Sequence, residues 1–221
     1  GYGSSFPLDR TMTTRLLGFA DLHYNVVAAQ MSRGKTERAT AYAVASIAST
    51  IGRFAMDACL FMNQNFGFIS LPPQFTTGSS IMPHKQNPDV FEIMRGKCNR
   101  LQAVPNEISL LTTNLPIGYH RDLQLLKDII FPATEELKRT VAMCDFMLGH
   151  IKVRTDILDD PKYDTLFTVE DVNRMTLSGV PFREAYKRIG LAVKDGEYKP
   201  TRKVHHTHEG SIGNLCNDKI R

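Results

Sequence analysis

The sequence contains no tryptophan and only four cysteines, and its apolar stretches are short or interrupted. Cys59, Cys98, Cys144 and Cys216 are far apart and lack the close pairing of redox or zinc motifs, so they predict neither a disulfide framework nor a metal site. Free thiols of this kind are typical of a reducing cytosol. The most apolar stretch, residues 39–62, is interrupted by serine, threonine, arginine and aspartate, which predicts a soluble chain without a membrane span.

Runs of like charge are also missing. The chain has 27 Lys and Arg against 23 Asp and Glu, a formal net charge of +4, and the charges are scattered. We therefore expect neither a nucleic-acid partner nor a membrane partner. The sequence also lacks the glycine-rich nucleotide-binding motifs and the HExxH zinc motif, and we expect no cofactor and no metal.

Three histidines near the C-terminus, His205, His206 and His208, include an HxH pair that could chelate zinc. No second ligand pair lies near them in the sequence. A structural or surface role is the favoured interpretation, and the sequence alone does not define that role.

Helical periodicity dominates the first two thirds of the chain. Apolar residues recur every three or four positions over residues 36–63, 88–115 and 121–151, which predicts three long helices. Proline lacks an amide donor, so Pro105 should break or kink the second helix and Pro132 should bend the third. Helices about 40 Å long, at 1.5 Å per residue, exceed a compact single-chain globule and are expected to pack against partners.

The pattern changes after residue 152 to short helices, predicted over 169–177 and 181–193 and followed by a tail rich in turn residues. The sequence thus predicts an all-α fold, with a long-helix bundle over residues 1–152 and a small helical C-terminal domain over residues 153–221.

The segment TGSSIMPHKQNP, residues 77–88, carries the clearest chemical signal. Gly78 and two serines predict a flexible loop, and Asn87 before Pro88 predicts a capped helix start. A helix N-terminus presents unpaired N–H groups, and Lys85 adds a positive charge, which together suit a carboxylate or phosphate. From these residues alone, an ordinary connector with a solvated lysine remains an alternative.

GSSIMPHKQNP resembles the signature GSSxMPxKxNP of the fumarase/aspartase superfamily and matches its eight fixed positions. These enzymes cleave C–N or C–O bonds in a bundle of long helices. The resemblance implies that Ser79 removes a proton from the carbon beside a substrate carboxylate, and that Lys85 and Asn87 hold that carboxylate. Stabilising the doubly charged intermediate with a preorganised cation and N–H donors agrees with the loop's chemistry.

YHRDLQLLK, residues 119–127, resembles the Y-x-[KR]-D-L-Q-x-x-K segment of the argininosuccinate lyase branch. The opening PLDRTMTTRLLGF also resembles this branch. The resemblance implies that Tyr119, Gln124 and Lys127 orient the substrate and that Glu92 pairs with a histidine from another segment. Because they are three residues apart, we expect Gln124 and Lys127 to share one face near the start of a helix.

The same resemblance implies β-elimination of argininosuccinate to arginine and fumarate, a step of arginine biosynthesis. It further implies a cytoplasmic homotetramer without cofactor or metal, whose active sites are shared between subunits. Because the chain opens on Gly1 and the branch places its partner histidine upstream, we expect the C-terminal portion of a longer protein, inactive by itself.

Three alternatives remain open. His84 occupies a position that is common in the adenylosuccinate lyase and carboxymuconate cycloisomerase branches. The fold could also serve as a non-catalytic, crystallin-like structural protein. The presence of Ser79, Lys85 and Glu92 speaks against that last interpretation.

Overall fold

The computed structural model describes residues 2–220, and the chain divides into two compact units, the first ending at Val153 and the second beginning at Arg154. The first unit contains α1 (Arg10–Leu16), α2 (Val26–Met31), α3 (Lys35–Met62), α4 (Asp89–Leu101), α5 (Val104–Leu111) and α6 (Leu126–Leu148). A two-residue antiparallel pair joins β1 (Ile69–Ser70) to β2 (Lys152–Val153). The second unit contains α7 (Thr168–Leu177) and α8 (Phe182–Lys194). The predicted all-α class is confirmed.

α3 is the central helix of the first unit and packs against α4, α5 and α6. Small residues on α3 allow close approach: a Cβ at Gly52 would lie 3.2 Å from the Cβ of Cys98 on α4. Next to this contact, Phe54 meets Phe91 edge to face, with ring centroids 5.8 Å apart. The buried alanines of α3 complete the seam: Ala41, Ala48, Ala55 and Ala58.

The region predicted as one helix over residues 88–115 forms two helices, α4 and α5. The break expected at Pro105 is confirmed. Pro105 lies in the first turn of α5, where a helix has no use for its missing amide hydrogen. Pro132, by contrast, lies inside α6, which continues past it.

The start of the third predicted helix is different from the prediction. Arg121–Gln124 forms a 3₁₀ turn, and α6 begins only at Leu126. The amide of Leu125 donates to the carbonyl of Asp122, which is the three-residue spacing of a 3₁₀ turn. Gln124 and Lys127 therefore lie in different elements, and the prediction that they share a face of one helix is wrong.

By length and composition, the segment Val26–Met62 is apolar enough to cross a membrane, with a window of mean hydropathy 1.3. The prediction that its polar interruptions rule this out on composition is therefore wrong. The structure places α3, which makes up most of the segment, in the centre of a helix bundle, where apolar residues are needed on more than one side. Only 28% of this apolar window is buried within the described chain, and α3 also carries exposed apolar side chains such as Tyr42.

In the second unit, Asp171 on α7 is a buried carboxylate, 2% exposed. It accepts hydrogen bonds from the Tyr198 hydroxyl at 2.7 Å and the Thr201 hydroxyl at 2.6 Å, and pairs with Arg174 at 2.9 Å. Burial raises the pKa of Asp171, but the hydrogen bonds from Thr201 and Tyr198 and the charge of Arg174 outweigh burial, and the pKa lies below its ordinary 3.8. Burial and the facing carboxylate raise the pKa of Tyr198 above 10.

These two shifts predict how the stability of the second unit depends on pH. Because Asp171 has a lowered folded pKa, its contribution is present above its unfolded pKa and is lost as pH falls through the folded value. The Tyr198 contribution is complete below its unfolded pKa and is lost as pH rises through the higher folded value. We expect a free energy of unfolding that falls below about pH 4 and above about pH 10.

Urea unfolding followed by circular dichroism across this range measures that profile. Tyr198→Phe should remove the Tyr198 contribution to the alkaline fall. It should also reduce the acid fall, because Asp171 loses a hydrogen bond that helps to lower its pKa. An unchanged alkaline fall in that variant would contradict the assignment to Tyr198.

His206 connects the C-terminal segment to α7. One ring nitrogen, Nδ1, lies 2.6 Å from the Ser211 hydroxyl, and the other, Nε2, lies 2.9 Å from a Glu170 carboxylate oxygen. Among residues 2–220, no group of three or more His, Cys, Asp or Glu side chains is arranged to hold a metal ion. In this unit His206 therefore acts as a side-chain tie between segments far apart in sequence.

Candidate active site

The signature loop, defined here as residues 78–87, is held at its N-terminal side by an aromatic anchor. Phe75, in the 3₁₀ turn Pro73–Phe75, meets Phe146 of α6 edge to face at 5.5 Å and His150 at 4.6 Å. On its C-terminal side the loop runs into α4. The mostly exposed loop thus connects two packed elements of the bundle, the Pro73–Phe75 turn and α4.

A short backbone bridge closes the base of the loop. The amide of Asn87 donates to the carbonyl of Thr77 at 2.8 Å, and the amide of Thr77 donates back at 3.3 Å. The side-chain amide of Asn87 donates to the carbonyl of Gly78 at 3.4 Å. Asn87 therefore does not cap α4, which starts at Asp89, and the N-cap prediction is wrong because the bridge engages this residue first.

Ser79 is half-buried, and its hydroxyl oxygen faces two backbone donors. The amides of Ile81 and Met82 lie 3.3 Å and 3.1 Å from Ser79 Oγ. Hydrogen bonds to an oxygen favour its charged form over its neutral form, because they compensate for developing negative charge. These two amides would therefore stabilise negative charge that develops on Ser79 Oγ.

A cavity of about 640 Å³ lies between the signature loop and the C-terminal end of α3. It brings together three predicted site residues, Lys85, Asn87 and Glu92. In the described part of the chain Lys85 forms no ion pair, although Glu92 lines the same cavity. The cavity therefore offers the Lys85 cation, the Glu92 carboxylate and several side-chain amides to a polar ligand.

Four predicted site residues lie outside the lining of this cavity in the described structure: Ser79, Tyr119, Gln124 and Lys127. Gln124 donates to the Tyr119 hydroxyl at 2.8 Å, so these two form a local pair. Lys127 is exposed in the first turn of α6. The chain by itself therefore assembles part of the predicted site around Lys85 and leaves the rest dispersed.

Other side chains that line the cavity did not follow from the sequence: Cys59, Met62, Asn63, Gln64, Asn65, Met82, His84, Gln86 and Pro88. The run of three amide residues directly after the apolar helix α3 was an available signal. Burial raises the pKa of Cys59. The charge of Arg95 opposes this rise and the charge of Glu92 adds to it, so the Cys59 thiol that lines the cavity is neutral. Cys59 is thus a lining group with no nucleophilic activation.

Known proteins resemble this chain in sequence and in fold. A family model described as Lyase matches residues 17–103. The argininosuccinate lyase of Parabacteroides distasonis is 60% identical over 220 residues, which cover 100% of this chain and 49% of that protein. Over its whole length the chain is similar to argininosuccinate lyases. The argininosuccinate lyase of Phocaeicola vulgatus, another relative, is 59% identical over the same share of each chain.

The chain spans about half the length of these argininosuccinate lyases. A crystal structure of EDDS lyase in complex with formate superposes with a TM-score of 0.65 at 22% identity, covering 88% of this chain and 39% of that chain. At this level of identity the likeness establishes the shared helical fold and nothing about the ligand.

Proposed function

We propose that the protein is an argininosuccinate lyase, which splits argininosuccinate into arginine and fumarate by β-elimination in arginine biosynthesis. The observation that supports it most is the cavity in which Lys85, Asn87 and Glu92 meet beside the Ser79 turn, in a chain matched along its whole length by argininosuccinate lyases. The substrate carries three carboxylates, which suit a polar lining that includes a cation.

In the proposed mechanism Ser79 is the base. Its alkoxide takes the proton from the carbon beside a substrate carboxylate, and the Ile81 and Met82 amides stabilise that alkoxide before the reaction. The electron pair left on carbon then forms the double bond of fumarate as the C–N bond breaks. The departing guanidino nitrogen takes a proton from a general acid and leaves as arginine.

Lys85 and Asn87 would bind the carboxylate next to the carbon that loses its proton. Removing this proton places a second negative charge on that carboxylate. The Lys85 ammonium, which forms no ion pair, would stabilise this charge from a position that is already set before the reaction. Glu92 would polarise a histidine from another segment. The cavity is open, so closure of the loop over the substrate would also exclude water.

Tyr119, Gln124 and Lys127 would orient the rest of the substrate in a site completed by other subunits. We propose a homotetramer whose central helices form one bundle. Large apolar side chains exposed on the long helices support this: Tyr42 is 60% exposed and Phe131 is 63% exposed. Exposed apolar surface of this kind marks an interaction face.

We further propose that residues 1–152 and 153–221 are separate domains and that the enzyme works in the cytoplasm. The division into two compact units at Val153 supports the first proposal. The four free cysteines support the second, because reduced thiols persist in the cytosol.

The test is to give the full-length protein argininosuccinate or adenylosuccinate separately and to follow fumarate by absorbance. We expect fumarate from argininosuccinate. His84 lines the cavity and keeps adenylosuccinate lyase as the second candidate, which fumarate from adenylosuccinate alone would favour. No fumarate from either substrate would favour the carboxymuconate cycloisomerase or the crystallin-like interpretation.

A further inference from the structure

Thr77 and Asp89 are joined by a side-chain hydrogen bond across the base of the signature loop. The Thr77 hydroxyl donates to Oδ2 of Asp89. Asp89 is the first residue of α4, so the bond connects the segment that enters the loop directly to the helix that leaves it. Two other contacts also close the base of the loop: the backbone bridge between Thr77 and Asn87, and the hydrogen bond from the Asn87 side chain.

The position of this bond relates two groups of the proposed site. Ser79 follows Thr77 by two residues, and Glu92 follows Asp89 by three, on the same side of α4. A shift at Thr77 therefore moves Ser79 relative to the helix that carries Glu92. The N-terminus of α4 favours a negative charge, which keeps the Asp89 carboxylate an effective acceptor.

We propose that Thr77 and Asp89 form a latch that positions Ser79 for proton abstraction, a role that rests on the proposed function. Neither side chain lines the cavity, so both are positioning residues. If the bond were only a surface contact, its loss would change neither the opening of the loop nor the rate of the chemical step.

Limited trypsin cleavage at Lys85 measures loop opening without needing turnover. Lys85 is exposed within the loop, and cleavage there rises with the population of open loop. In the full-length protein we expect Thr77→Val and Asp89→Asn each to speed this cleavage about fivefold. Cleavage at the wild-type rate in both variants would overturn the proposal.

Two control variants match the changes. Thr76→Val removes a neighbouring hydroxyl, whose hydrogen bond within residues 2–220 goes to the carbonyl of Pro73. Asp128→Asn removes a first-turn carboxylate from α6. Both should leave cleavage at Lys85 unchanged. Faster cleavage in Asp128→Asn as well would point to loss of helix stability and would overturn the latch.

Steady-state kinetics tests the positioning role. We expect Thr77→Val to lower kcat about tenfold with KM changed less than threefold, and Thr77→Ser, which keeps the hydroxyl, to recover most of kcat. If Thr77→Val were cleaved faster at Lys85 but kept the wild-type kcat, the proposal that the latch positions Ser79 would be overturned. A wild-type protein without lyase activity would refute the proposed function, and the cleavage rates would still decide whether the latch exists.

Discussion

Ser79→Ala is expected to lower kcat for argininosuccinate by at least about 10³-fold in the full-length enzyme while substrate still binds. A base that removes the proton in the transition state has no substitute in the turn, because the other groups facing Ser79 are the backbone donors of Ile81 and Met82. The lost contacts lie in an exposed loop, so the helical circular dichroism signal should not change.

Ser80→Ala is the matched control, since it removes a hydroxyl from the adjacent exposed position. We expect its turnover to stay within about tenfold of the wild type. Binding is measured by calorimetry on the Ser79→Ala protein, where slow turnover leaves the substrate intact. Turnover of Ser79→Ala within tenfold of the wild type would remove Ser79 from the role of base.

Lys85→Met is expected to lower kcat by about 10²- to 10³-fold. Methionine keeps much of the length of the lysine side chain and removes the charge that would stabilise the doubly charged intermediate. Because the carboxylate already carries one charge in the ground state, KM should rise as well, and the larger effect should fall on kcat/KM. Steady-state fumarate release over a range of substrate concentrations gives kcat and KM separately.

A conservative variant and a distant one sharpen this test. Lys85→Arg keeps the charge with different geometry and should recover part of the activity. Lys194→Met removes a lysine from the last turn of α8 in the second unit and should leave kcat unchanged. If Lys85→Met lost less than tenfold in kcat/KM, the cation would not be stabilising the intermediate.

The predicted site shows how far a local signature reaches. GSSIMPHKQNP contains Lys85 and Asn87, Glu92 follows four residues after it, and the structure brings the three to one cavity. Ser79 belongs to the same loop but bonds into its own turn. Tyr119 and Gln124 form their own pair away from the cavity, and their proposed roles stay predictions. Signature residues can be found in sequence, whereas their convergence depends on chain and subunit packing.

The sequence by itself determined the helical class, the break before Pro105 and the chemistry available to the signature loop. These properties are local, because side-chain periodicity, a missing amide hydrogen and neighbouring functional groups act within a few turns of chain. Helix ends were less certain: the start of α6 and the cap of α4 were decided by a 3₁₀ turn and by the Thr77 bridge.

Only the tertiary structure decided which distant groups meet. The amides after α3 line the cavity, Thr77 bonds Asp89, Asp171 takes hydrogen bonds from Tyr198, and His206 reaches Glu170. No periodicity encodes these pairs. Each exists because packing of the helices brings together groups separated by many residues, where a buried or closely held polar atom must find its partner.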